Sequence, residues 1–186
     1  VLFRSLGAEI VQPGRVDGGQ PGADRVGKLH SYEPISYSSN NVIDAALAEL
    51  DGSIAVDNRT PTDGYGAPTS DTSEPVTVGL GVQKYGRTTR FTKGTVTGIN
   101  ASVNVGYDGG TARFVDQIIV EGNGKGRNRA FIQGGDSGSL MVSNENNPVG
   151  LLFAGSSSVA VANPIGPVME FVKSKIGSGA VIGVGP

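Results

Sequence analysis

Apolar and polar residues alternate most cleanly over 99–105. Ile99, Ala101, Val103 and Val105 fall on one face and Asn100, Ser102 and Asn104 on the other, the period of two expected of a half-buried strand. The Tyr107-Asp108-Gly109-Gly110 segment that follows carries hairpin-turn chemistry, because glycine tolerates the positive φ that tight turns demand, and 114–121 reads as the returning strand. Further short β-rich runs, bounded by Gly, Asn, Asp and Pro, predict strands over 8–12, 26–31, 43–47, 88–96, 139–143, 149–154 and 159–162. No helical pattern interleaves them, so the expectation is an all-β sandwich or barrel rather than a chain of βαβ units. The period changes only near the end. There Val168, Phe171, Val172 and Ile176 recur at helical spacing behind Pro164 and Pro167, and Gly177 supplies the stop.

One stretch breaks the β pattern. Residues 57–75 are polar, carry Pro61, Pro68 and Pro75, and are too long and fragmented for a hairpin loop, which predicts a linker between a β unit over 1–56 and another over 76–186. A chain of 186 residues can hold two such small units with real cores. Thirty glycines and ten prolines are well above the usual share and imply many tight turns. Residues 1–6 show neither an initiator Met nor a signal-peptide pattern and read as a truncated start.

Charge and cysteine content narrow the chemistry. Fifteen basic and seventeen acidic side chains leave a net charge of -2, without the electrostatic footprint of a nucleic-acid binder. With no Cys and a single His, thiolate clusters, cysteine nucleophiles and nearly every His-based zinc site are excluded, so no metal or cofactor is expected. No apolar run approaches the roughly 18 residues of a membrane span. Hydroxyl, carboxylate and backbone chemistry remain.

The most informative hexapeptide is Gly134-Gly135-Asp136-Ser137-Gly138-Ser139, where small residues let the backbone fold tightly around an exposed hydroxyl. Ser137 is the candidate nucleophile. A tetrahedral oxyanion needs two backbone N–H groups aimed at one point, and those of Gly135 and Ser137 can supply them when a glycine stands two before the serine. A serine also needs a base, oriented in turn by a carboxylate.

Gly134 to Ser139, followed by an apolar strand and Val149-Gly150-Leu151-Leu152-Phe153-Ala154-Gly155, resembles the C-terminal barrel of the trypsin-like (chymotrypsin-fold) serine peptidases of bacterial type. Asn41-Val42-Ile43-Asp44-Ala45-Ala46-Leu47 matches that family's D-x-A-hydrophobic run, and Asn163-Pro164-Ile165 onward its closing helix. The resemblance spans about residues 7–176. It implies two β-barrels with the site in the cleft, a peptide or protein substrate, Asp44 as the triad acid and no cofactor. It also sets Phe153, Ala154 and Gly155 along the wall of the primary specificity pocket. In trypsin an acid six residues before the serine binds basic side chains; Phe131 holds that position here, against Arg/Lys specificity.

The departure is the histidine. The family order is His, Asp, Ser, with the His in a small-residue motif well before the Asp, and no such motif exists here. His30, in Val26-Gly27-Lys28-Leu29-His30-Ser31, reads as a surface residue of a strand. The resemblance therefore implies a catalytic histidine in sequence before Val1, an incomplete first barrel, and a 186-residue chain that by itself lacks about a millionfold in rate. The alternative is a catalytically inactive module that binds peptides or a protein partner. A glycine-rich run over 122–129, with Lys125, Arg127 and Arg129, lacks the ending of a phosphate loop and reads as surface.

Overall fold

The computed structural model describes residues 5–124 and 130–183. In chain order its strands are β1 (Glu9–Val11), β2 (Arg25–Tyr32), β3 (Asn40–Asn41), β4 (Ala46–Leu50), β5 (Gly81–Gly86), β6 (Arg90–Tyr107), β7 (Gly110–Gly122), β8 (Leu140–Ser143), β9 (Pro148–Gly155) and β10 (Val159–Pro164), followed by the helix α1 (Ile165–Ile176). The all-β expectation with one C-terminal helix holds. Two compact units share the chain: one is Ala45–Val56 with the chain up to Pro34, the other Ile35–Asp44 with the chain from Asp57 onward.

The first unit is an antiparallel sheet in the order β1-β2-β4. Alternation along β2 buries Leu29 and turns Lys28 and His30 outward.

The second unit is a seven-stranded sheet in the order β10-β9-β8-β5-β6-β7-β3, with the short β3 parallel to β7. Strand β10 pairs with β7 as well as with β9, Val161 facing Ile119, so this sheet closes on itself into a barrel. Closure removes the unpaired strand edges that a flat sheet would leave exposed. Val82, Val96, Ile118, Val120, Met141, Val149, Leu152, Ala160 and Ala162 fill its core. Ile165, Val168, Met169 and Phe171 make the buried face of α1, which packs on β9 and β10, while Ile176 in its last turn is exposed.

Three details differ from the sequence pattern. The runs 88–96 and 99–105 are one strand, β6, interrupted by bulges where its register with β7 shifts between Val96 and Val103. Asn100 sits at φ 52°, and the shift leaves Ile99 39% exposed instead of sharing the face of Ala101, Val103 and Val105. Strand β5 was not anticipated, because it buries Gln83 and Lys84 where an apolar signal would be sought. Strand β4 begins at Ala46, not at residue 43, because the backbone of Asp44 is claimed by a side chain of β10 rather than by a neighbouring strand.

Segment 57–75 has no regular element and is tied to the β8–β9 turn. Thr69 Oγ1 donates to Asn147 Oδ1 at 2.6 Å, Asn146 Nδ2 to Tyr65 O at 3.0 Å and Asn147 Nδ2 to Glu74 Oε2 at 2.9 Å. Of the glycine-rich run 122–129, residues 125–129 lie outside the described residues.

Candidate active site

Ser137 lies on the turn that enters β8. Glycines at positive φ stand two before and one after it, Gly135 at 98° and Gly138 at 88°, a conformation that side chains resist. The turn is anchored to β9 by Gly138 N–H donating to Leu152 O at 2.7 Å and Leu152 N–H donating to Ser139 O at 3.1 Å. Ser137 is exposed, and its Oγ lies 3.3 Å from Phe153 O. Gly135 is exposed too, and among the described residues no acceptor takes the N–H of Gly135 or of Ser137.

Beneath the serine, Asp136 is wholly buried, and its carboxylate organises the turn. Oδ1 accepts from Thr88 N–H at 2.7 Å and Thr89 N–H at 3.1 Å; Oδ2 accepts from Thr89 Oγ1 at 2.6 Å, Gln133 N–H at 3.0 Å and Lys84 Nζ at 3.4 Å. Burial pushes this carboxyl up, but the hydrogen bonds from Thr89, Gln133 and Thr88 outweigh it and hold its pKa below the usual aspartate value. The Lys84 side chain is equally buried and also donates to Thr89 Oγ1 and, at 3.0 Å, to Arg90 O. Its pKa is lowered by burial, with the attraction of Asp136 opposing the shift. Gly86 makes room for the cluster: a Cβ there would stand 2.5 Å from Asp136 Oδ1 and 2.8 Å from Ser139 Oγ.

Asp44 follows β3 in the same unit, on a segment stitched to the barrel by side-chain amides. Asn41 Nδ2 donates to Arg113 O at 3.0 Å and Gln117 Nε2 to Val42 O at 2.7 Å. Buried Asn163 closes both backbone groups of Asp44, accepting its N–H at 3.2 Å and donating to its C=O at 3.0 Å. The carboxylate Oδ2 accepts from Tyr107 Oη at 2.7 Å.

Asp44 and Ser137 are linked through aromatic side chains. The Tyr107 ring packs on Phe114 with centroids 6.3 Å apart, Phe114 packs on Phe153 at 4.8 Å, and Phe153 offers its carbonyl to Ser137 Oγ. Phe153, Ala154 and Gly155 form the end of β9, Ala154 opposite Val161 and Gly155 opposite Ala160. A Cβ on Gly155 would meet Ile132 Cγ2 at 2.7 Å and Val159 O at 2.9 Å. Phe131 is 2% exposed and packs in the barrel core, with its carbonyl accepting from Thr92 Oγ1. His30, in β2 of the other unit, is exposed with Nδ1 3.2 Å from Ser31 Oγ.

No protein-family model and no curated protein matches this sequence. Solved structures do match. The fold is that of the chymotrypsin-like bacterial serine proteases. Cellulomonas bogoriensis chymotrypsin superposes with a TM-score of 0.58 and 19% identity over 90% of this chain and 82% of its own. For a Nocardiopsis protease the values are 0.59 and 20%, over 90% and 77%. A glutamic-acid-specific serine protease that uses a histidine triad in substrate binding gives 0.58 and 22%, over 89% and 76%. At these identities it is the fold that is shared.

Within the chymotrypsin-like fold, sequence reasoning passed over Lys84, Thr88, Thr89, Tyr107 and Asn163. Asn163 stood in the quoted helix-entry motif and Tyr107 in the hairpin turn, but neither spacing shows that both converge on Asp44. Among the described residues no cluster of His, Asp and Glu could hold a metal ion.

Proposed function

We propose that the chain carries the acyl-transfer centre of a serine peptidase. The observation that carries this reading is the exposed Ser137 hydroxyl beside two amides, of Gly135 and Ser137, for which the described residues supply no acceptor. In the proposed reaction Ser137 Oγ attacks a peptide carbonyl while an imidazole takes its proton. The oxyanion is held by Gly135 N–H and Ser137 N–H, and Asp44 orients the imidazole and stabilises its charged form. Collapse of the tetrahedral intermediate breaks the C–N bond, the imidazole returns the proton to the leaving amine, and water then releases the acyl group by the same steps in reverse. Phe153, Ala154 and Gly155 flank the substrate backbone, and Phe131, in the position where trypsin carries the acid, offers no charge to a basic side chain.

The test is an active-site phosphonate probe applied to the chain and to a version extended upstream through its reading frame, followed by mass spectrometry of the labelled peptide. Little labelling of the chain alone and stoichiometric labelling of the extended version at Ser137, abolished by Ser137→Ala, is the expected result. A His30→Ala arm asks whether the single histidine of this sequence is the base: labelling of the chain that His30→Ala abolishes assigns the role to His30, and labelling of the extended version that survives it assigns the imidazole to the added sequence. A second reading, an inactive module that binds peptides or a protein partner, is favoured by the position of His30 on an outward face of β2. It predicts no labelling in either protein and peptide binding that survives Ser137→Ala.

A further inference from the structure

Resting on the reading of Asp44 as the triad acid, we infer that Tyr107 is its positioning residue, fixing Oδ2 so that Oδ1 is the oxygen presented to the base. The hydroxyl donates to Oδ2 at 2.7 Å, and among the described residues Oδ1 has no partner. A hydrogen bond from a hydroxyl to an ionised carboxylate is short and strong, and in a half-buried site it also selects one carboxylate rotamer.

Rigidity comes from the elements behind it. Tyr107 is the last residue of β6, and its ring is held by the fully buried Phe114. The hairpin turn beside it lies under Tyr37, whose Oη would stand 2.7 Å from a Cβ on Gly109. Tyr37 and Asp44 belong to one segment, 35–44, so the segment that carries the acid also grips the hairpin that carries its donor. The backbone of Asp44 is clamped independently by Asn163, which leaves the carboxylate torsion as the freedom Tyr107 removes. The Tyr107 phenol has its pKa raised by burial first and by its bond to Asp44 second, so it stays protonated and donating throughout the working range of a peptidase.

Two measurements test this. The chain is labelled with 3-fluorotyrosine and titrated by fluorine NMR, with Tyr107 assigned by the resonance lost in Tyr107→Phe. Tyr107 is expected to titrate last of the five tyrosines, and Asp44→Asn to bring it down by about one pH unit or more. Co-titration of Tyr107 with the exposed tyrosines, or indifference to Asp44→Asn, overturns the inference. In the second measurement, on the form in which Ser137 is labelled, Tyr107→Phe is expected to slow phosphonylation of Ser137 about tenfold to a hundredfold and to lower kcat with KM little changed, with an unaltered far-UV circular dichroism spectrum. An unchanged rate in a folded, labelled Tyr107→Phe variant overturns the positioning role while leaving Ser137 as nucleophile. A wild-type protein that is not labelled at all, as the chain or as the extended version, overturns both.

Discussion

Asp136 shows how one buried carboxylate can organise a whole turn. Its carboxylate satisfies the amides of Thr88, Thr89 and Gln133 and neutralises the buried Lys84 ammonium, so the backbone on either side of it has little freedom. Removing the charge while keeping the shape strands Lys84 in the interior, so Asp136→Asn is expected to cost about 3–5 kcal/mol in urea unfolding at pH 7. Lys84→Met is expected to cost less, because Asp136 keeps its hydrogen bonds from Thr88, Thr89 and Gln133. The pH dependence follows from the direction of the shift. Asp136 has its folded pKa below the unfolded one, so its contribution is complete above the unfolded value of about 4 and is lost as pH falls through the lower folded value. The stability gap between wild type and Asp136→Asn should therefore narrow below about pH 4; a constant gap from pH 7 to pH 3 would contradict the assignment.

At the scale of elements, the β6–β7 hairpin joins the barrel to the acid-bearing segment. Its lower part lines the core and its upper part ends on Tyr107. Close approach governs the lower part: a Cβ on Gly94 would stand 2.7 Å from Glu121 O and 2.8 Å from Phe131 Cδ2 and Val120 Cγ1. A backbone oxygen cannot yield as a side-chain tip can, so Gly94→Ala is expected to cost about 1–3 kcal/mol. Gly106, in the same strand, has nothing within 4 Å of its Cβ direction, and Gly106→Ala should be neutral or stabilising by up to about 0.5 kcal/mol. Comparing the two urea midpoints checks both. Alternation of Ala101, Val103 and Val105 made the upper part of the hairpin legible in sequence. The bulges near Asn100 were not, because a register shift depends on the partner strand and leaves no periodic mark of its own.

For the whole molecule, the closed barrel and the open sheet predict different opening energies. Nearly all buried apolar side chains among the described residues belong to the second unit, whereas Leu29 and Ala45 are those of the first. Amides of β8, β9 and β10 are therefore expected to exchange with solvent only by global unfolding, and those of β1, β2 and β4 by a lower-energy opening. Hydrogen exchange in mild denaturant distinguishes this from a single cooperative unit, in which β2 and β9 would converge on one free energy.

Some of this protein was legible in the order of its residues alone. Alternation and turn residues specify an all-β chain, the helix over Ile165–Ile176 is written in its own period and caps, and the turn around Ser137 is marked by the glycines that its positive φ angles require. These are local properties, set by φ preferences and by which face a residue occupies in its own element. Pairings between distant segments were decided only by the tertiary structure: Lys84 beneath Asp136, Asn163 and Tyr107 around Asp44, and the closure of β10 onto β7. A buried lysine in a strand, or a tyrosine at a hairpin end, carries no local signal for its partner. The free energy that selects the partner comes from desolvating both groups together, and that happens only when the barrel has closed around them.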